Sequence, residues 1–291
     1  LWFIGQFDNK QITPNSKRRN NFVATDVRRW LIQHMVPFLT SGAAKPMKFL
    51  DLTLPTPAEN VACDEALLES REREGGDEIL RVWESSDYFV VVGYSNDEMT
   101  EVNLAACRAK NIPVLRRCSG GGAVVLGRGC LNYALILEIA RRPEIGTLAE
   151  TNRFVMQRNC EAVQAALAAQ EVQWQFQAQS IAARTPLPRG EIAAGTPLLR
   201  QQVEIHGATD LAIGGRKFSG NSQRRGRKFV LFHGSLLLNF DLSLIEELLP
   251  MPTKQPRYRR DRAHSDFLMN LDVESERVKV ALKEKWAASA S

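Results

Sequence analysis

Apolar positions along this chain change period repeatedly, and each change marks an element. Regular patterning begins at Lys48-Phe49-Leu50-Asp51-Leu52, which reads as a strand. At Thr56-Pro57-Ala58-Glu59 a helix starts: Thr56 caps it, Pro57 takes the first helical position and Glu59 completes a capping box. Its body runs through Leu67 and Leu68 and stops at Gly75-Gly76. Strands follow at Ile79 to Trp83 and Tyr88 to Val92, then a short helix from Leu104 to Lys110 and a strand carrying Arg116 and Arg117. Leu131 to Glu138 is apolar enough for a buried strand. Leu148 to Ala169 sets Phe154, Val155, Ala162, Val163 and Leu167 at helical spacing, with Phe154 and Met156 expected in the core. From Gln175 to Gly207 no clean period survives, which predicts a long excursion at the rim of a site. Gly214-Gly215 predicts a two-residue hairpin turn, and the last helix, Ser275 to Ala287, gathers Val278, Leu282 and Trp286 on one face. Mixed strands and helices of this kind predict an α+β fold.

Two segments carry candidate chemistry. In Arg116-Arg117-Cys118-Ser119-Gly120-Gly121-Gly122-Ala123-Val124, consecutive glycines follow a β-branched run, so successive backbone N–H groups are free to point into one concavity suited to an anion. The arginines before it add fixed positive charge, and a phosphate-bearing ligand is the natural reading. The second segment is Asp210-Leu211 before Gly215-Arg216-Lys217-Phe218-Ser219-Gly220, followed by His233-Gly234-Ser235-Leu236-Leu237.

Taken together and in this order, the motifs resemble the lipoate-protein ligase A family from about Phe49 onward. An ordered set is far rarer by chance than any one of its pieces. The resemblance implies a biotin/lipoate ligase-like catalytic domain, a central mixed sheet flanked by helices. It also implies an enzyme that activates lipoate or octanoate as an acyl-adenylate, with ATP and Mg2+ as cofactors. The acyl group then passes to one lysine of an apo lipoyl-acceptor domain, the E2 component of a 2-oxoacid dehydrogenase or the glycine-cleavage H protein. Lys217 is the expected catalytic residue, its ammonium bridging acyl carbonyl and phosphate as the amine attacks. Arg117, Ser119, Gly120, Gly121, Gly122, Ala123, Asp210, Ser219 and Gly220 are expected to hold the lipoyl-adenylate. In this frame Arg117 meets phosphate or carboxylate, and Asp210 meets the ribose or a magnesium-linked group. The corner Gly93, Tyr94 and Asn96 is expected to line the acyl pocket, and no direct protein cluster for a metal is expected. His233 is read as a structural residue, and Gln223 to Lys228 as a solvated loop able to dock an acidic acceptor domain.

Two departures from the family pattern matter. Leu126-Gly127 stands where many members carry His-Asp, so a role for that histidine does not transfer. The sequence ends five residues after Trp286, where bacterial-type ligases append an accessory domain; a separate accessory subunit is one way to supply it. The rival enzyme reading is an octanoyl- or lipoyl-transferase drawing on a carrier-bound acyl group through a cysteine thioester. The segment before Asp210 that holds this cysteine in one transferase branch reads Gln201-Gln202-Val203 here.

Composition narrows the remaining classes. Residues 1–46 hold seven Lys or Arg against two Asp, which accounts for the whole net charge of +5. The rest is therefore neutral, and a basic nucleic-acid-binding module is disfavoured. That opening stretch is read as an N-terminal extension, dispensable or upstream of a catalytic domain spanning 47–291. The odd count of five cysteines, with no Cys-x-x-Cys spacing, predicts a reducing compartment, the cytoplasm or a mitochondrial matrix. The apolar runs are too short to span a bilayer, so no membrane partner is expected.

Overall fold

The computed structural model describes residues 47–184, 202–252 and 254–287. The extension assigned to residues 1–46 lies outside the described residues. A sheet of seven strands runs in the order β1 (Lys48–Asp51), β2 (Ile79–Trp83), β6 (Cys130–Glu138), β10 (Phe229–Leu237), β9 (Arg216–Arg225), β8 (Asp210–Ile213) and β7 (Glu204–His206). The β1–β2 pair is parallel and the other pairs are antiparallel, so the sheet is mixed as predicted. A smaller sheet orders β4 (Val114–Arg116), β3 (Phe89–Val92) and β5 (Val124–Leu126).

Side-chain alternation divides the large sheet into two buried faces. Leu80, Val82, Leu135, Leu137, Val230 and Phe232 point to the face covered by α4 (Leu148–Arg184) and α7 (Ser275–Ala287), where Met156, Val163 and Trp286 complete the core. Ile79, Ala134, Ile136, Phe229 and Leu231 point the other way, against Ala62, Cys63, Ala66 and Leu67 of α1 (Pro57–Glu74). The same face carries polar residues further along, and there the small sheet stands opposite it. Of the short helices α2 (Glu98–Glu101), α3 (Leu104–Ala109) and α5 (Ser243–Leu248), α3 and α5 pack with the small sheet's apolar cluster, and α6 (His264–Phe267) adds Phe267 to it. No helix among the described residues is long and apolar enough to cross a membrane.

Local signals in the sequence produce the elements they predict. Thr56 Oγ1 accepts from Glu59 N, Glu59 reaches back to Thr56 N, and Gly75 ends α1 with φ +68°. Removing the cap hydroxyl by Thr56→Ala is expected to lower stability by about 1 kcal/mol, read as a shift in the urea midpoint at constant slope. Gly214 and Gly215 adopt φ +55° and +72°, the two left-handed positions of a tight hairpin turn. One expectation needs correction: α4 does not stop near Ala169 but continues to Arg184, through the start of the proposed excursion. Residues 185–201 of that stretch lie outside the described residues, and its end forms β7 on the sheet edge.

Candidate active site

A cavity of about 370 Å³ opens between the two sheets, within the size range of small-ligand sites. Its position follows from register. The sheet row Ser222, His233, Ala134, Arg81 runs straight across four strands, and the row Gly220, Ser235, Asn132, Trp83 lies beside it on the same face. Between β8 and β9 the pairing slips, Leu211 facing Ser219 while Ala212 faces Lys217, so Phe218 is an extra residue in β9. Because side chains alternate with period two, that bulge brings Lys217 onto the face of Gly220 and Ser222.

Lys217 Nζ forms an ion pair with Asp210 Oδ1 at 2.8 Å, and Tyr258 Oη donates to Asp210 Oδ2 at 2.8 Å. Both carboxylate oxygens are thus engaged, and burial together with this carboxylate pushes the Tyr258 phenol up, so it stays a donor. Tyr258 also stacks on His206, ring centroids 4.4 Å apart, joining the end of β7 to the segment after α5. Gly220 leaves room for the lysine: a Cβ there would stand 2.9 Å from Lys217 Nζ.

The glycine loop forms the opposite wall. Arg117 does not extend its fork toward a ligand; it is folded into the loop, Nη2 donating to Gly120 O at 2.7 Å and Gly122 O at 2.8 Å, and Nε to Ser119 Oγ at 3.1 Å. The carbonyl and N–H of one trans peptide lie in its plane and point in opposite directions, so drawing Gly120 O inward turns the Gly121 amide outward. Gly121 has φ +91°, and a Cβ on it would meet Arg117 Nη2 at 2.9 Å. Burial lowers the Arg117 pKa to about 10, which leaves it protonated near neutrality behind the loop.

Behind Ser222 lies a chain of polar groups. Ser222 Oγ and Ser119 Oγ are 2.7 Å apart, Ser119 Oγ and His233 Nε2 2.6 Å, and His233 Nδ1 stands 3.3 Å from Asp64 Oδ2. Asp64 Oδ1 in turn accepts from fully buried Arg81 at 2.7 Å, and Arg81 also donates to Asn60 Oδ1 at 2.6 Å and to Leu52 O. Next to this chain, Asn221 accepts from Tyr133 Oη at 2.5 Å and donates to Thr209 O at 2.8 Å.

Of the residues expected to form the site, Lys217, Asp210, Arg117, Gly121, Gly122, Ala123 and Gly220 line the cavity together. Ser119 is buried just behind the wall, Gly120 sits on the outside of the loop, and Ser219 points to the opposite face of β9, where its hydroxyl accepts from Asn221. Gly93, Tyr94 and Asn96, expected at the acyl pocket, do not line this cavity. Tyr94 is 66% exposed, and the carbonyls of all three residues are gathered by Arg116 Nη1. The apolar lining comes instead from Trp83, Val91, Val124, Leu126 and Phe267. Leu126 thus takes a useful place at the departure from the family pattern, and Gly127 beside it is required because a Cβ would lie 2.3 Å from the Tyr88 ring. His233, read as structural, lines the cavity with Asp64, Ser222 and Asn221, and Tyr258 joins it through Asp210; the sequence pattern gives none of these last four a role. The segment Gln223 to Lys228 is less free than expected: Arg225 donates to Ile145 O and Gly146 O, and Glu72 accepts from the amides of Arg227, Lys228 and Phe229.

None of the described thiols is poised to react. Burial pushes Cys118 and Cys130 up to about 12 and Cys63 up to about 11, so all three are neutral thiols near pH 7. Among the described residues, no three His, Cys, Asp or Glu side chains converge on a point that could hold a metal ion.

The chain is 28% identical over 205 residues to a protein named "Probable lipoate-protein ligase A" from Mycoplasma pneumoniae, covering 70% of this chain and 49% of that protein. It therefore spans about half the length of that relative. It is 26% identical over 219 residues to the octanoyltransferase LipM of Bacillus subtilis, covering 74% of this chain and 73% of that one. Its fold is similar to that of an archaeal lipoylation system, a bi-partite lipoate protein ligase and its E2 lipoyl domain from Thermoplasma acidophilum, with a TM-score of 0.61 and 20% identity across 84% of this chain and 83% of that chain. The sequence profile of the lipoyl protein ligase A/B catalytic domain matches residues 56–286, from the cap of α1 to the last core residue of α7, and takes in both walls of the cavity: the chain belongs to this catalytic-domain family.

Proposed function

We propose that this enzyme activates lipoate or octanoate with ATP as an acyl-adenylate and transfers the acyl group to one lysine of an apo lipoyl domain. The observation that carries this reading is the Lys217–Asp210 pair facing the glycine loop across one cavity. A carboxylate is a poor acyl donor, and adenylation gives it a leaving group. The cavity then has to hold an anionic phosphate beside an apolar chain. Amides of the glycine loop and the charge of Arg117 suit the phosphate, while Trp83, Val91, Val124 and Leu126 suit the chain. Lys217 stands where one compact cation can touch both halves, stabilising charge on the carbonyl oxygen and on the departing phosphate. Mg2+ would arrive with ATP, and Asp210 is the cavity carboxylate closest to Lys217.

In this reading the catalytic unit is residues 47–291. An E2 or H-type lipoyl domain is the acceptor, in keeping with the E2 lipoyl domain named with the T. acidophilum ligase. A separate accessory polypeptide is compatible with it, since that ligase is described as bi-partite.

The second reading, a transferase using a carrier-bound octanoyl group, is favoured by the extent of the match to LipM, 73% of that protein's length. The raised thiol pKa values argue against it, because a thioester mechanism needs a thiolate. Replacing Cys118 and Cys130 together by serine should leave acyl transfer within about tenfold, or about 1.4 kcal/mol in barrier. The deciding experiment measures acceptor mass after incubation with lipoate, ATP and Mg2+, and again with octanoyl carrier protein and no ATP. Gain of one lipoyl mass in the first mixture alone is expected. Modification only in the second, with an acyl-enzyme trapped on a cysteine, would replace the ligase reading by the transferase one.

A further inference from the structure

We infer that Ser222, Ser119 and His233 form a proton relay, poised to accept, that drains the attacking lysine of the acceptor domain. The inference rests on the reading that an acyl group passes to an amine in this cavity, and it holds for an adenylate or a thioester donor alike.

Hydrogen-bond inventory fixes the direction. Asp64 presents a carboxylate that can only accept, and its other oxygen is held by Arg81. In the neutral ring of His233 the proton therefore sits on Nδ1, and Nε2 is left as an acceptor. Among the described residues only Ser119 meets Nε2, at 2.6 Å, so the single hydroxyl proton of Ser119 is committed to it. Ser119 Oγ also accepts from Arg117 Nε at 3.1 Å, an atom that can only donate. One lone pair remains on Ser119, and Ser222 at 2.7 Å fills it as donor. Ser119 is then saturated, and Ser222 shows the cavity an oxygen with lone pairs and no proton to give. Such a group recognises an N–H. It stands opposite the loop, its Cβ 3.9 Å from where a Cβ on Gly121 would be, on the wall that also carries Lys217.

An acceptor lysine that has entered as the neutral amine attacks the acyl carbon. The C–N bond forms, and the bond to the leaving oxygen or sulfur breaks with its electron pair going to the leaving group. The surplus N–H proton passes to Ser222 as the Ser222 proton moves to Ser119 and the Ser119 proton moves to Nε2. The resulting imidazolium faces Asp64, whose second oxygen is held by Arg81; Arg117 is the other charged group touching the chain. His233 and Asp64 are thus positioning residues acting through Ser222, while Lys217 acts on the carbonyl and phosphate side.

The test uses the full chain, an apo lipoyl domain, and two donors supplied in parallel, preformed lipoyl-adenylate and octanoyl carrier thioester. Single-turnover transfer to the lysine is compared with transfer to hydroxylamine, which is neutral at ordinary pH and sheds its proton to water readily. Ser222→Ala and His233→Asn should each slow lysine transfer by about a hundredfold, the scale of general base catalysis, with hydroxylamine transfer changed by less than about threefold. The double variant should be no slower than the worse single one, and Ser222→Thr, which keeps a hydroxyl, should recover most of the rate. Ser222→Ala removes one oxygen from a half-buried position, so it remains decisive if His233→Asn is poorly folded. A parallel fall for both nucleophiles, no fall for either, or losses that multiply in the double variant would overturn the relay. If the wild type uses only the thioester, the ligase reading fails while the relay is scored on that donor. Inactivity of the wild type toward both donors would end both readings.

Discussion

Lys217→Ala is expected to cut modification of the acceptor lysine by about a hundredfold or more, the effect of deleting one preorganised electrostatic donor. The loss should fall on the chemical step. Lys217 is held by its main chain, with Met269 N donating to Lys217 O, and its side chain is a quarter exposed, so little packing is removed with it. Asp210 loses one partner and keeps Tyr258 at 2.8 Å. Circular dichroism and thermal melting of the variant should therefore match the wild type. Lys217→Arg should recover only part of the rate. The ammonium already lies 2.9 Å from the Cβ position of Gly220, and a planar guanidinium needs more width than that gap offers. A folded Lys217→Ala protein with near-normal transfer would disprove the site, because no other cation of β9 reaches the same wall of the cavity.

The parts of this fold that were legible in the sequence are those whose cause is local. A capping box, a Pro at the first helical turn, a glycine stop and a two-glycine hairpin each act within a few residues, and α1 and the β8–β9 turn follow from them. The glycine loop and the Lys217 frame stand out for a related reason, since each is a short run of sequence and the two recur in the order of the family pattern. The relay does not. His233 sits 169 positions from Asp64, and they meet only because β9, β10, β6 and β2 stack Ser222, His233, Ala134 and Arg81 in one row beneath α1. A histidine on an apolar strand looks the same in sequence whether or not a carboxylate waits behind it. Tyr258 was missed for a different reason: it lies on a single 3-10 turn after a proline-rich stretch, where no periodicity marks which side chain faces inward. The end of α4 was misjudged because the run after Ala169, rich in Gln and Ala, lacks an apolar stripe yet remains a good helix former.

Gly93→Ala should be the second most damaging small substitution, and its failure mode separates two roles for the corner after β3. In the sequence this glycine looked like part of an acyl pocket, which predicts that enlarging it changes the preference between lipoate and octanoate. In the structure it is the support on which the glycine loop rests. A Cβ on Gly93 would lie 1.9 Å from Gly121 O and 3.3 Å from the Gly120 carbonyl carbon, both backbone atoms with no flexible side chain to give way. The loop would have to shift by more than an ångström. It is fixed on the other side by Arg117 Nη2 to Gly120 O and Gly122 O, and the corner is fixed by Arg116 Nη1 to the carbonyls of Gly93 and Asn96. Misplacement of a binding group by about 1 Å costs about a hundredfold in rate. The expected result is a fall of that size in kcat/KM for ATP, equal for lipoate and octanoate, in a protein that still melts cooperatively. A changed ratio between the two acids at nearly unchanged kcat/KM for ATP would return Gly93 to the acyl pocket and remove the corner from the support of the loop.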